Sequence, residues 1–146
     1  KRDNLMNAYH EIFKSKDTEK RLKAAVAWSK WEAATSSLSY KPSLVEEFSD
    51  PEFALAFALI ENHYFINKGW FDTENQLIEN IDKIRSIPAV IVQGRYDVVC
   101  PMKTAWELSK AWPEAEMIIA PSSGHTAFEK EITHALISAT NKFSKN

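Results

Sequence analysis

Asp97 and His125 are the pair in this chain whose types and placement suit catalysis. Each follows a short apolar run, Ala89–Val92 and Met117–Ala120, and each stands on a glycine-marked loop, at Gly94 and Gly124. A carboxylate behind an imidazole fixes its tautomer and stabilises the cation formed when the ring takes a proton. Such a pair supplies two members of a nucleophile–base–orienter triad. Functional groups in open parallel sheets lie on loops leaving the carboxyl ends of strands. The separation of 28 residues leaves room for one crossover helix and one strand between them. Spacing alone leaves a second reading open, in which Asp97 caps the following helix and His125 is a loop residue with no task.

The nucleophile is missing. A serine elbow, G-x-S-x-G, needs two glycines flanking the serine, and the only glycines are Gly69, Gly94 and Gly124. Ser122 and Ser123 lie on the histidine's own loop, outside any strand–turn–helix context. Cys100 has no cysteine-hydrolase surroundings and reads as a small buried residue. A metal site built from His63, His125 and Asp97 has no ligand spacing to recommend it, so no metal or cofactor is expected.

Two elements must position Asp97 and His125. Ala89–Val92 and Glu116–Ala120 read as buried strands, Pro101 opens a helix that Trp112-Pro113 closes, and Thr126 to about Phe143 forms a last helix with Phe128, Ile132, Leu136, Ala139 and Phe143 on its apolar face. This strand–helix–strand–helix order requires a parallel pair. Two parallel strands are too few for a stable sheet, so strands outside this sequence, or a second copy, are expected to complete it. The apolar edge at Ala89–Val92 makes self-association the expectation.

The first half is helical by periodicity. Residues 3–15 read as one amphipathic helix, and Thr18 to about Ser36, capped by Asp17, as a second. Leu44–Phe48 reads as a single turn. Asp50-Pro51 starts a helix that stops before Gly69 and is apolar nearly all round, hence expected to be buried. Glu74–Arg85 reads as a further short helix. On the second helix Ala24, Ala25, Trp28, Trp31, Glu32 and Thr35 share one sector, and Glu61 shares a sector with Phe53, Phe57, Ile60 and Tyr64. An ionised carboxylate on an apolar face is costly unless a cation or hydrogen bonds compensate it. Two such groups converging would grip an ammonium. The competing reading pairs each with a base such as Arg21 or Lys30. His63 and Tyr64 flank Glu61 and either orient it or pack; His10 and His134 read as surface residues. Trp28 and Trp31 read as packing.

The runs WSKWE at Trp28–Glu32, IENHYF at Ile60–Phe65, VIVQGRYDVVCP at Val90–Pro101 and SGHTAFE at Ser123–Glu129 resemble the C-terminal portion of the proline iminopeptidases. These are serine peptidases of the α/β-hydrolase fold that release an N-terminal proline. The resemblance implies an α/β fold in which a helical cap segment, residues 1–86, precedes the βαβα part of a hydrolase sheet, residues 87–146. It implies that Asp97 and His125 are the acid and base of the triad, and that Glu32 and Glu61 hold the amino terminus of a peptide substrate. The serine elbow and the oxyanion loop lie upstream in that pattern, so the chain alone is expected to be inactive. The alternatives are a non-catalytic helical binding module that keeps the amine pocket, and an α/β hydrolase acting on another substrate.

Composition agrees with a globular chain. Of 146 residues 45% are hydrophobic, and 18 Lys and Arg against 20 Asp and Glu leave a net charge of −2, which offers nucleic acid no electrostatic footprint. No apolar run approaches the roughly 18 residues of a membrane span. A single cysteine, a first residue that is not methionine and few glycines suggest a cytoplasmic fragment of a longer protein.

Overall fold

The computed structural model describes residues 4–144. Its helices α1 (Leu5–Phe13), α2 (Thr18–Ser36), α3 (Pro42–Glu47) and α4 (Pro51–Ile66) come first, then α5 (Gln76–Glu79), strand β1 (Val90–Gly94), α6 (Met102–Ala111), strand β2 (Glu116–Ala120) and α7 (Lys130–Phe143). The residues group into two compact units. The first runs to Ala34 and resumes over Lys41–Asp72, and the second comprises Thr35–Tyr40 and the chain from Thr73.

In the first unit the starts of α1, α2 and α4 are set by side chains that satisfy otherwise orphaned N–H groups. Asn4 accepts from the Asn7 N–H at 3.0 Å, and Asp17 accepts from the Lys20 N–H at 3.0 Å. Asp50 accepts from the N–H groups of Glu52 at 3.1 Å and Phe53 at 2.9 Å, with Pro51 at the first helical position. The core is Phe13, Ala25, Trp28 and Ala58, with Tyr9, Leu55 and Phe57 packed around it. Ser29 and Ala54 are fully buried, and the Ser29 hydroxyl donates to the Ala54 carbonyl at 3.4 Å. Small residues thus let α2 and α4 approach closely.

That close approach changes two expectations. The buried residues of α2 include Ala25, Ser29, Ala33 and Ser36, with Trp28 beside them, whereas Trp31 is 69% exposed. The seam follows small residues, and the second tryptophan turns outward. On α4 only Ala54, Ala58 and Asn62 are buried, while Phe53, Ile60, Tyr64 and Phe65 are exposed. A helix apolar all round is buried only where neighbours cover every side; here α1 meets it at Asn62 and α2 at Ala54, and the rest is left open. His10 is half-buried instead of on the surface: its Nδ1 lies 3.0 Å from Oδ1 of the buried Asn62, whose amide donates to the Met6 carbonyl at 3.0 Å. Beyond α4 the backbone turns left-handed at Lys68, Gly69 and Trp70, with φ of 51°, 62° and 58°.

In the second unit β1 and β2 pair in parallel, from Val90 opposite Glu116 to Gly94 opposite Ala120. The helix expected over 74–85 is broken into α5 and a 3₁₀ turn at Ile81–Lys83, because Asn80 donates its side chain to the Gln76 carbonyl at 2.7 Å and ends the first piece. α7 packs on both strands through Ile132 and Ala135, and α6 packs on β1 with Ala105 buried. The indole of buried Trp112 donates to the Arg85 carbonyl at 3.3 Å, closing the loop that leads into β1. α7 starts at Lys130, four residues later than the sequence suggests, so Phe128 lies on the preceding turn and is 86% exposed. Among the described residues no helix is long and apolar enough to cross a membrane.

Candidate active-site pair and carboxylate cleft

β1 and β2 end side by side, and their loops are held together by backbone. The Arg95 N–H donates to the Ala120 carbonyl and the Tyr96 N–H to the Ser123 carbonyl, both at 3.0 Å. Gly94 and Gly124 meet at this point. A Cβ on Gly94 would lie 1.8 Å from the Gly124 carbonyl oxygen, so no larger residue fits the strand end as it stands.

This junction brings together the two residues singled out by their loops. Nδ1 of His125 lies 3.0 Å from Oδ2 of Asp97; the Asp97 side chain is 6% exposed and that of His125 39%. An ionised carboxylate only accepts, so the imidazole carries its proton on Nδ1 and presents Nε2 as an acceptor. Asp97 is itself fixed. Its Oδ1 accepts from the N–H groups of Val99 at 3.0 Å and Cys100 at 2.7 Å, and its Oδ2 takes a 3.3 Å bond from the Gln93 amide as well as the histidine. The two readings of Asp97 left open by spacing therefore coexist: one oxygen caps the turn before α6 and the other faces the imidazole. The same Gln93 amide donates to the Cys100 carbonyl at 3.1 Å, tying strand end to loop. Cys100 is exposed, not buried, and its backbone N–H serves the Asp97 turn.

His125 is seated from behind by residues 36–38. The Ser36 carbonyl accepts from both the His125 and Thr126 N–H groups at 2.8 Å. Ser123 is fully buried with its hydroxyl 3.2 Å from Glu131, which makes it a structural residue of the loop.

In the first unit Glu32 and Glu61 share a neighbour. Glu32 lines a cleft of about 360 Å³ with Leu5, Met6, Tyr9, Trp28 and Trp31. The indole N–H of Trp28 donates to Oε2 of Glu61 at 2.6 Å, and the Trp28 ring stacks on Phe65 at 6.1 Å. The indole thus holds the Glu61 carboxylate in place with a neutral donor. The partner found for Glu61 is an indole, where the ion-pair reading expected a base such as Arg21 or Lys30. His63 and Tyr64 pack edge-on against Trp70, both at 5.2 Å. Among the described residues no group of three or more potential ligands could hold a metal ion.

Periodicity and spacing did not foreshadow the roles of Gln93, Ser36 or Trp28. Gln93 reads as one more strand residue and Ser36 acts through its backbone, so neither leaves a signal in side-chain type. The indole donor of Trp28 was visible only as a packing ring.

The family model described as TAP-like protein matches residues 59–143. The chain is 56% identical over 142 residues to the "Probable proline iminopeptidase" of Leptolyngbya boryana, covering 97% of this chain and 44% of that protein. It is 53% identical over 143 residues to the proline iminopeptidase of Xanthomonas citri, covering 98% of this chain and 46% of the relative. The chain thus spans less than half the length of these relatives. An esterase from Exiguobacterium antarcticum superimposes with a TM-score of 0.55 at 15% identity, over 97% of this chain and 48% of the esterase. That likeness shows the fold, an α/β hydrolase arrangement of the strands and helices.

Proposed function

The chain belongs to the TAP-like protein family of α/β hydrolases, and from its likeness to proline iminopeptidases we propose that it carries the base, the orienting acid and the amine-gripping carboxylates of such an enzyme. In this reading it is the C-terminal portion of a cytoplasmic serine peptidase, and the nucleophile is supplied by sequence outside it. The substrate is a peptide with an N-terminal proline. The serine attacks the prolyl carbonyl, His125 Nε2 takes the hydroxyl proton, and Asp97 stabilises the resulting imidazolium. The same proton then passes to the departing amine.

Glu32 and Glu61 select the free terminus. An α-amino group with a pKa of about 7.7–8.0 is largely protonated at neutral pH, and two carboxylates beside aromatic rings favour that cation while internal peptide bonds offer none. The indole bond to Glu61 supports this role, since it fixes the carboxylate without cancelling its charge. The observation that carries the reading is the 3.0 Å contact between Nδ1 of His125 and the nearly buried Asp97.

The test is release of proline from a proline anilide. The complete enzyme is expected to lose at least about a thousandfold in kcat with His125→Ala and to rise mainly in KM with Glu61→Gln. The 146-residue chain alone is expected to release none, because base and orienter without nucleophile and oxyanion donors have nothing to activate. Release by this chain alone, abolished by His125→Ala, would overturn the division of labour.

A further inference from the structure

Glu129 stands at the N-cap position of α7, yet its side chain makes no capping bond there. Its carboxylate turns back to the histidine loop instead. Oε2 accepts a short bond from the Gly124 N–H, and Oε1 accepts from the Leu38 N–H at 3.0 Å. We infer that Glu129 is a positioning residue for His125, clamping the histidine loop to residues 37–38 through both carboxylate oxygens; the inference rests on His125 acting as the base.

The geometry leaves little slack at this clamp. Gly124 is buried, and a Cβ on it would lie 2.9 Å from the Leu38 nitrogen and 3.1 Å from the Ser37 carbonyl carbon. The two backbones therefore touch, with N–H groups of both aimed at one acceptor. A carboxylate, with two accepting oxygens and no donor, takes one of these N–H groups on each oxygen. Neighbouring donors are accounted for as well: the Ser122 N–H meets Glu131 at 2.8 Å, and those of His125 and Thr126 meet Ser36. With the backbone on both sides of His125 held, its ring stays at 3.0 Å from Asp97. Displacement of the loop by about 1 Å would misdirect Nε2, the kind of error that costs up to about a hundredfold in rate.

The test has two arms. By NMR on the complete enzyme, Glu129→Ala is expected to speed exchange of the Gly124 and Leu38 amides by about tenfold or more, and to shift or broaden the Nδ1 proton of His125 shared with Asp97. Glu129→Gln, which keeps one accepting oxygen and opposes an NH₂ to the other donor, is expected to fall between parent and Glu129→Ala. It also serves if the alanine variant fails to fold. Phe128→Ala, on the exposed neighbour, is the unchanged control. In the complete enzyme, Glu129→Ala is expected to lower kcat by about tenfold to a hundredfold with KM within twofold, and Glu129→Gln to restore part of it. An unmoved His125 proton in both folded variants, or a Glu129→Gln variant identical to the parent, overturns the inference. Full activity of Asp97→Asn and His125→Ala would instead sink the catalytic reading, while the NMR arm would still decide the clamp.

Discussion

Replacing Gly94 by alanine tests whether the two strand-end loops are as tightly joined as the geometry requires. The added Cβ would sit 1.8 Å from the Gly124 oxygen and 2.8 Å from both the Gly124 carbonyl carbon and the Ser123 oxygen. Carbon and oxygen in even a close C–H···O contact rest about 3.3 Å apart, so the loops must part by about 1.5 Å. Parting them strains or breaks the Arg95–Ala120 and Tyr96–Ser123 backbone bonds, both 3.0 Å long. Each is worth about 0.5–1.5 kcal/mol, and residual overpacking adds about 1–3 kcal/mol. The opposing gain from stiffening the unfolded chain is only about 0.4–1 kcal/mol. The net loss is therefore about 1–6 kcal/mol, set against the roughly 5–15 kcal/mol of an ordinary domain. At about 1–3 kcal/mol per molar urea, the unfolding midpoint followed by far-ultraviolet circular dichroism should fall by more than about 0.3 M. The His125 Nδ1 proton should also move, because Asp97 and His125 stand on the separated loops. A midpoint within about 0.3 M of the parent, with that proton unshifted, would refute the close contact and the seating of the pair that depends on it.

Two further outcomes follow from local chemistry. Trp28→Phe keeps an aromatic ring in the core but removes the 2.6 Å donor to Glu61, and should cost about 1.5–3 kcal/mol in urea unfolding as a bond to a charged acceptor. Trp31→Phe, at a position 69% exposed, should stay within about 0.5 kcal/mol, and equal losses for the two would refute the assignment. Arg85 forks onto Glu114, Nε lying 3.2 and 3.0 Å from its two oxygens, and that hydrogen bond holds the Glu114 carboxyl below its ordinary 4.5. A depressed folded value means the pair's contribution is full above 4.5 and is lost as the pH falls through the depressed value. The stability advantage of the parent over Glu114→Gln should accordingly shrink on acidification; an advantage that grows there would contradict the pairing.

Much of the architecture was legible in the sequence because it is specified locally. Asp17 and Asp50-Pro51 announce helix starts through groups within a few residues of the orphan N–H they satisfy, and the structure has them capping α2 and α4. Glu116–Ala120 appears as a strand over the residues expected, and the strand–helix–strand order fixes a parallel pair. The pairing at the strand ends was legible for the same reason: Asp97 and His125 are a carboxylate and an imidazole on loops that topology makes neighbours. Composition and periodicity say nothing, however, about which side of a helix meets which partner. Only packing decided that the α2 seam runs through Ser29 and Ala33 with Trp31 outside it, and that α4 keeps Ile60 and Phe65 exposed. The late start of α7, which leaves Phe128 in solvent, depends on Glu129 reaching back across the chain to Leu38. A bond between residues 91 positions apart leaves no trace in local sequence pattern. The types of the candidate site residues are thus a property of the sequence. Their distances, their tautomer and the groups that hold them in register come from backbone contacts formed only when distant segments fold together.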